Sequence, residues 1–195
     1  MTPAVPVAAM NELTLDSAVT ALRAGGVIAY PTEAVWGLGC DPSHEMAVRK
    51  LLRLKQRPVE KGMILVAAEL AQLEGWVKLD ELSKSRQAAV LATWPGAHTW
   101  ILPAGPDAPK WITGEHTGIA VRISAHPLVA ELSRRWGGPL VSTSANLATY
   151  PPARTRAELD PALLPLLDGV LDGQTGGLAQ PTPIRDAKTG DVLRT

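Results

Sequence analysis

The segment Lys55-Gln56-Arg57-Pro58-Val59-Glu60-Lys61 puts three cations within seven residues. It directly follows a helical apolar pattern. Arginine can fork onto a phosphate, and lysine neutralises one as a point charge. The same cations would complement the negative end of a helix or stand solvated on the surface. Taken alone, the segment leaves these readings open. Pro58 sets an extended path, pushes Arg57 out of helical geometry and leaves Arg57 without an expected local partner. A fourth cation, Arg122, sits between Val121 and Ile123 in an apolar run. An unpaired charge buried in a strand is costly. Arg122 is therefore either paired with a carboxylate or aimed into a site.

Two further segments carry polar groups at the ends of apolar runs. Ser142-Thr143-Ser144-Ala145-Asn146 is dense in small hydrogen-bonding side chains. Such groups cap helices and make turns, and they also bind phosphate, ribose or amino-acid groups without adding charge. Tyr30-Pro31-Thr32-Glu33-Ala34-Val35-Trp36-Gly37-Leu38-Gly39 leads from an apolar run into a hydroxyl and two glycines, which read as a turn or as a close backbone approach. No Walker loop, no Gly-x-Gly-x-x-Gly and no Gly-x-Ser-x-Gly elbow occurs. A bound nucleotide would need another architecture.

Helical and extended patterns that alternate along the chain position these segments, and they predict an α/β domain. Leu15, Ala18, Val19 and Leu22 form a helical stripe that Gly25-Gly26 stops. A strand is expected over Val27–Tyr30, closed by Pro31. Asp41-Pro42 reads as a helix start, with that helix ending near Gln56. Further strands are expected at Met63–Val66, Thr99–Leu102, Ile119–Ile123, from Leu140, at Val170-Leu171 and within Ile184–Leu193, where Thr189-Gly190 turns the last pair. Helices are expected over Glu81–Leu91 and from Pro127 to Gly137. Thr155 with Glu158 reads as a capping box for a late helix.

Composition narrows the function classes. Lys plus Arg equals Asp plus Glu at 19 each, so no global basic field exists to grip a nucleic acid. Cys40 is the one cysteine, which excludes an internal disulfide and a cysteine-rich zinc site. His44, His98, His116 and His126 lack metal-motif spacing, and no metal site is assigned. No apolar run reaches membrane-spanning length. Residues 1–10 are expected to be a loose tail without signal-sequence character, ahead of a catalytic domain over residues 11–195. A cytoplasmic location with no membrane partner follows as the expectation.

The segments together resemble the YrdC/TsaC family of threonylcarbamoyl-adenylate synthases. The resemblance rests on Tyr-Pro-Thr-Glu with Gly37-Leu38-Gly39, Lys55-x-Arg57-Pro58 with Lys61, Pro95-Gly96-x-x-Thr99, Ala120-Val121-Arg122, and Ser142-Thr143-Ser144-Ala145-Asn146, in family order. It runs from about Leu15 to Arg194 and is strongest to the short bacterial TsaC form, which lacks the extra C-terminal domain of longer relatives. The chain departs from the family where relatives often carry Ser-Thr-Ile-Val-Asp and it has Thr182-Pro183-Ile184-Arg185-Asp186.

The resemblance implies a single YrdC-like domain: a twisted mixed sheet flanked by helices, with a concave basic substrate cavity. It implies joining of L-threonine, bicarbonate or CO2 and ATP, with release of pyrophosphate. The product would feed N6-threonylcarbamoyladenosine formation in tRNA beside the anticodon, through TsaD, TsaB and TsaE. It implies ATP contacts at Lys55, Arg57, Lys61, Ser144, Asn146 and Arg194, and threonine contacts at Thr32, Arg122, Ser142 and Thr182. Mg2+ is expected to accompany ATP, and no tightly bound cofactor is expected. No side chain is assigned as general base, and direct tRNA binding is expected to be weak or indirect. Two alternatives remain: a noncatalytic double-stranded RNA or tRNA module, and a carbamoyl-adenylate former like the hydrogenase-maturation carbamoyltransferases. An expected lack of fused acylphosphatase-like, zinc-finger and transferase segments weighs against the second.

Overall fold

The computed structural model describes residues 11–147 and 150–194. The tail expected over residues 1–10 lies outside the described residues. In chain order the elements are β1 (Glu12–Leu13), α1 (Leu15–Arg23), β2 (Ile28–Pro31), β3 (Trp36–Gly39), α2 (Glu45–Leu54), β4 (Ile64–Ala67), α3 (Lys84–Leu91), β5 (Thr99–Pro103), α4 (Lys110–Thr113), β6 (Gly118–Ile123), α5 (Pro127–Trp136), β7 (Leu140–Ser144), β8 (Gly169–Leu171), β9 (Ile184–Asp186) and β10 (Val192–Arg194). Among the described residues, the strands form one mixed sheet in the order β1-β8-β2-β3-β7-β4-β6-β5-β9-β10. No described helix is long and apolar enough to cross a membrane.

The pleat sends successive side chains to opposite faces, and this divides the core in two. Ile28, Tyr30, Val66 and Leu140 pack against Ala18 and Leu22 of α1 and Val129 and Leu132 of α5. Ala29, Leu65, Val121 and Val141 pack on the other face, with Ala47, Val48, Leu51 and Leu52 of α2. Central strands covered on both faces read as continuous apolar runs, which is why the sequence marks β4 and β6 well.

Four expectations fail for local reasons. The segment through Gly37-Leu38-Gly39 is not only a turn. It is β3, paired antiparallel with β2 from Ile28↔Gly39 to Pro31↔Trp36. Helix α2 starts three residues later than Asp41-Pro42 suggested. His44 is its cap, with Nδ1 accepting from the Ala47 amide at 3.2 Å, while Asp41 Oδ1 closes a turn by accepting from the Ser43 amide at 2.8 Å. The late helix is absent from the described residues. Short 3-10 turns at Arg156–Glu158 and Leu164–Leu166 replace it, and the Thr155 side chain makes no capping bond. Glu158 accepts instead from the Arg154 amide at 2.7 Å. Helix α3 begins at Lys84 rather than Glu81, after a separate 3-10 turn at Leu79–Glu81.

Gly39 shows why β3 carries glycine. A Cβ there would sit 2.5 Å from the Val141 carbonyl oxygen and 2.6 Å from the Tyr30 ring. Tyr30 is itself pinned, its hydroxyl donating to that same carbonyl at 3.1 Å. Overpacking of this kind costs about 1–3 kcal/mol. Gly39→Ala is therefore expected to lower the stability read by urea unfolding by about 2 kcal/mol or more, against the usual gain from replacing a strand glycine. An unchanged unfolding midpoint would contradict this packing.

Candidate active site

Paired residues on one face of the sheet build the floor of a cavity. Gly37 faces Ser144. Ser142 faces Ile64, and Ile64 faces Ala120. Ala120 faces Ile101, and Ile101 faces Asp186. Directly opposed residues share a sheet face, so six strands contribute to one surface. Arg122 and Thr99 lie on that face too, two residues along from Ala120 and Ile101. The same face carries Val66 and Leu140, which the helices α1 and α5 cover. The cavity opens where that cover stops. Its volume is about 630 Å³, within the range of small-molecule sites.

Nine of the ten residues assigned from the resemblance line this cavity: Thr32, Lys55, Arg57, Lys61, Arg122, Ser142, Ser144, Thr182 and Arg194. Asn146 is not a lining residue. Its Oδ1 accepts from Lys55 Nζ at 2.7 Å and from Ser144 Oγ at 2.6 Å, so it stands behind the wall.

The end of α2 aims two of the cations. The Arg57 amide donates to the Leu52 carbonyl at 2.9 Å, and the Gln56 amide to the Arg53 carbonyl at 3.0 Å. This is a Schellman closure. It places Gln56 at φ 48°, a left-handed conformation that disfavours side chains other than glycine. The turn delivers Lys55 and Arg57 to the cavity wall.

Lys55 is buried, and it is committed. Its Nζ donates to the Ser144 carbonyl at 2.7 Å, the Asn146 carbonyl at 2.6 Å and Asn146 Oδ1 at 2.7 Å. All three ammonium donors are thus used, and they tie the end of β7 to α2. Arg57 was expected to have no local partner. The structure corrects this: Nη2 donates to the Gly62 carbonyl at 2.9 Å and the Lys61 carbonyl at 3.3 Å, and Nε to the Gly62 carbonyl at 3.3 Å. The turn lets the side chain reach forward four or five residues, which the linear sequence does not show.

Arg122 does both things foreseen for it. It is 6% exposed. Its Nη1 donates to Thr182 Oγ1 at 2.8 Å and to Thr99 Oγ1 at 3.3 Å. Its Nη2 lies 3.4 Å from Glu33 Oε2. Glu33, unassigned from the sequence, is thus its counter-ion. The signal was present in Pro31-Thr32-Glu33, where a carboxylate follows a buried strand. Thr99, His116 and Asp186 also escaped assignment. Thr99 and Asp186 stood in quoted segments, whereas His116 carries no local signal and reaches the cavity only through the fold.

Thr32 Oγ1 donates to the Val35 carbonyl at 2.7 Å, which tightens the turn between β2 and β3. Arg194 comes from the last strand, and its Nη2 donates to the Thr182 carbonyl at 3.1 Å. Partial desolvation, and next the charges of Arg122 and Arg57, lower the Arg194 pKa. Burial also lowers that of Arg57. Three guanidiniums from distant parts of the chain therefore share one field. Asp186 is the one carboxylate among the described lining residues. Such a surface favours a negatively charged ligand.

Fold and cavity define a class: an α/β domain that gathers cations from a helix end, an inner strand and a terminal strand around a small-molecule site. The chain belongs to the Sua5/YciO/YrdC family, whose model, described as telomere recombination, matches residues 20–195. A protein of Stenotrophomonas maltophilia named threonylcarbamoyl-AMP synthase is 80% identical over 186 residues, which cover 95% of this chain and 100% of that one. A Xanthomonas campestris protein of the same name is 66% identical, covering 92% of this chain and 96% of its own. Among solved structures, P. abyssi Sua5 complexed with L-threonine superposes with a TM-score of 0.81 at 26% identity. That match covers 90% of this chain and 53% of the other, so this chain spans about half the length of that protein.

Burial, and next the Arg57 charge, pull the Lys55 ammonium down to about 8. In the unfolded chain it holds its proton up to about pH 10.4. Between these values the unfolded state binds more protons at this site, so the contribution of Lys55 to stability rises with pH. Subtracting the pH profile of Lys55→Met unfolding free energy from that of the wild type isolates this group. The difference is expected to climb from about pH 8 upward. A flat difference would mean that Lys55 titrates as an ordinary surface lysine.

Proposed function

We infer that this chain is an L-threonylcarbamoyladenylate synthase, joining L-threonine, bicarbonate or CO2 and ATP to give threonylcarbamoyl-AMP and pyrophosphate. The observation that carries the reading is the 80% identity to a threonylcarbamoyl-AMP synthase along that protein's whole length. The cavity supports it independently, because its residues fit each chemical demand of the reaction. The solved complex of a relative with L-threonine supports the amino-acid half.

The amine of threonine adds to CO2 and loses a proton, giving a carbamate. A carbamate oxygen attacks the α-phosphorus of ATP, and the bond from that phosphorus to the bridging oxygen breaks, releasing pyrophosphate. Two anions must approach each other. The protein's task is charge neutralisation and alignment. Arg57, Lys61 and Arg194 serve the triphosphate in this reading, with Ser144 on the nucleotide side. Lys55 and Asn146 act there through the β7 loop that they hold. Arg122 takes the threonine carboxylate, flanked by Thr32, Ser142 and Thr182. The nearby positive charges also lower the pKa of the threonine amine and favour its reactive neutral form.

Among the described residues no three His, Cys, Asp or Glu side chains converge into a metal site, so Mg2+ would arrive on the triphosphate and neutralise it there. We place the reaction in the cytoplasm. We place the product with TsaD, TsaB and TsaE type proteins, for N6-threonylcarbamoyladenosine formation in tRNA. Zero net charge supports weak or indirect tRNA contact, since phosphate-driven binding needs clustered cations.

Two outcomes are expected. Pyrophosphate release from ATP needs threonine and bicarbonate together, read in CO2-depleted buffer with each added singly and then jointly. Turnover with threonine alone would point to an aminoacyl-adenylate former, and turnover with carbamoyl phosphate and no threonine to a carbamoyl-adenylate former. Arg57→Ala is expected to raise the ATP KM by about ten- to hundredfold, because charge-assisted contacts are worth about 1.5–3 kcal/mol. Its carbonyl bonds to Lys61 and Gly62 add a smaller loss of stability. Unaltered ATP use in a folded variant would remove Arg57 from the site.

A further inference from the structure

Two of the five buried side-chain atoms that lack a hydrogen-bond partner among the described residues belong to one ion pair. Glu33 Oε2 and Arg122 Nε are both buried without a hydrogen-bond partner. They belong to the same ion pair, whose Nη2 to Oε2 distance is 3.4 Å, too long for a good charge-assisted bond. A carboxylate and a guanidinium buried side by side ordinarily close into a bidentate fork. Here they stop short.

The reason lies on the other carboxylate oxygen. Glu33 Oε1 accepts from Ser124 Oγ at 2.7 Å. Ser124 is 2% exposed, and its own amide donates to the Ala67 carbonyl at 2.9 Å. Its hydroxyl oxygen also accepts from the His126 amide at 3.2 Å, at the start of α5. Ser124 is therefore a fixed post, and it draws Glu33 away from Arg122. The backbone of Glu33 is held as well, its carbonyl accepting from the Leu178 amide at 3.1 Å. On the far side, Thr182 and Thr99 hold Nη1. The guanidinium is located from both sides, and its Nε and Nη2 edge is left without a full partner.

Resting on the proposed function, we propose that Glu33, held back by Ser124, is a positioning residue for the amino-acid substrate. It fixes the orientation of Arg122 but neutralises it only in part, and so reserves the guanidinium charge for the threonine carboxylate. A carboxylate able to fork fully onto Arg122 would compete with the substrate. A missing one would leave the guanidinium held on one side only. Glu33 is not among the residues that line the cavity. Its effect on the reaction passes through Arg122.

The test uses Glu33→Gln and Ser124→Ala in the full chain, with pyrophosphate release giving separate KM values for threonine and ATP. L-threonine binding is read by calorimetry in the same proteins, and fold by thermal unfolding. Gln keeps the shape of Glu33 but can turn an amide donor toward Arg122. Ser124→Ala frees Glu33 to close onto Arg122. Both variants are expected to weaken threonine, in KM and in Kd, by about tenfold or more, the scale of one charge-assisted hydrogen bond. The ATP KM is expected to stay within about twofold. Equal losses for both substrates, or unchanged threonine binding in either folded variant, would overturn the proposal. If Glu33→Gln fails to fold, Ser124→Ala decides alone. Failure of the functional reading is separable, because it appears in the wild type as absent threonine-dependent pyrophosphate release. Wild-type calorimetry without threonine binding would overturn both.

Discussion

A guanidinium buried near the end of an inner strand is the constraint around which this molecule is organised. Arg122 sits on β6 between Val121 and Ile123, which are both core residues. Its charge has left water, and that loss must be offset by partners arriving from elsewhere in the chain. They come from three places: Glu33 from the turn after β2, Thr99 from the start of β5, and Thr182 from the approach to β9. None of these is near Arg122 in sequence. The sheet order brings β6 beside β5, and β5 beside β9. The order thus serves the arginine as much as it serves the core.

The cation side is built on a different principle. Lys55 and Arg57 flank a left-handed Gln56 at a helix end, so local backbone geometry rather than sheet register aims them. Their chemistry then diverges. The Lys55 ammonium spends all of its donors on the loop after β7, while Arg57 anchors on two carbonyls and remains on the cavity wall. Arginine has five donors and can hold a carbonyl with some while offering others to a phosphate. Lysine, with three, cannot hold this loop and also meet a ligand without exchanging partners. In this structure Lys55 works as a brace. Lys61 is exposed and closes the short turn that Arg57 spans.

Convergence of Arg57, Arg122 and Arg194 adds like-charge repulsion to the desolvation that already lowers the Arg194 pKa. A folded protein keeps like charges together only where other contacts over-determine them. Here those contacts are the carbonyls of Gly62, Lys61 and Thr182. They satisfy Arg57 and Arg194 without cancelling their charge, while Glu33 offsets that of Arg122 in part. Zero net charge for the whole chain and a concentrated positive field in the cavity are therefore compatible. This argues against a general nucleic-acid surface and for a site shaped to a small polyanion.

The sequence by itself determined the α/β class and the inner strands. An apolar run bounded by breakers is a local property, set by side chains that must leave water. Nine of the ten residues assigned from the resemblance line the cavity; most of them are cations and hydroxyls at the ends of apolar runs, conspicuous as residue types, whereas Thr182 and Arg194 came from the resemblance alone. Tertiary structure alone decided their partners. That Arg122 would meet Glu33, that Lys55 would clamp Asn146 and leave it behind the wall, and that His116 and Asp186 would join the cavity all depend on pairings across large gaps in sequence. Strand β3 was hidden because its glycines read as a turn until β2 and β7 offered their edges. The late capping box failed because a Thr-x-x-Glu signal needs a helix that packs, and this segment found only short turns. Propensity and pattern act over a few residues, whereas hydrogen bonds and ion pairs form wherever the fold brings donors and acceptors together. The latter are what turn a set of polar residues into a site.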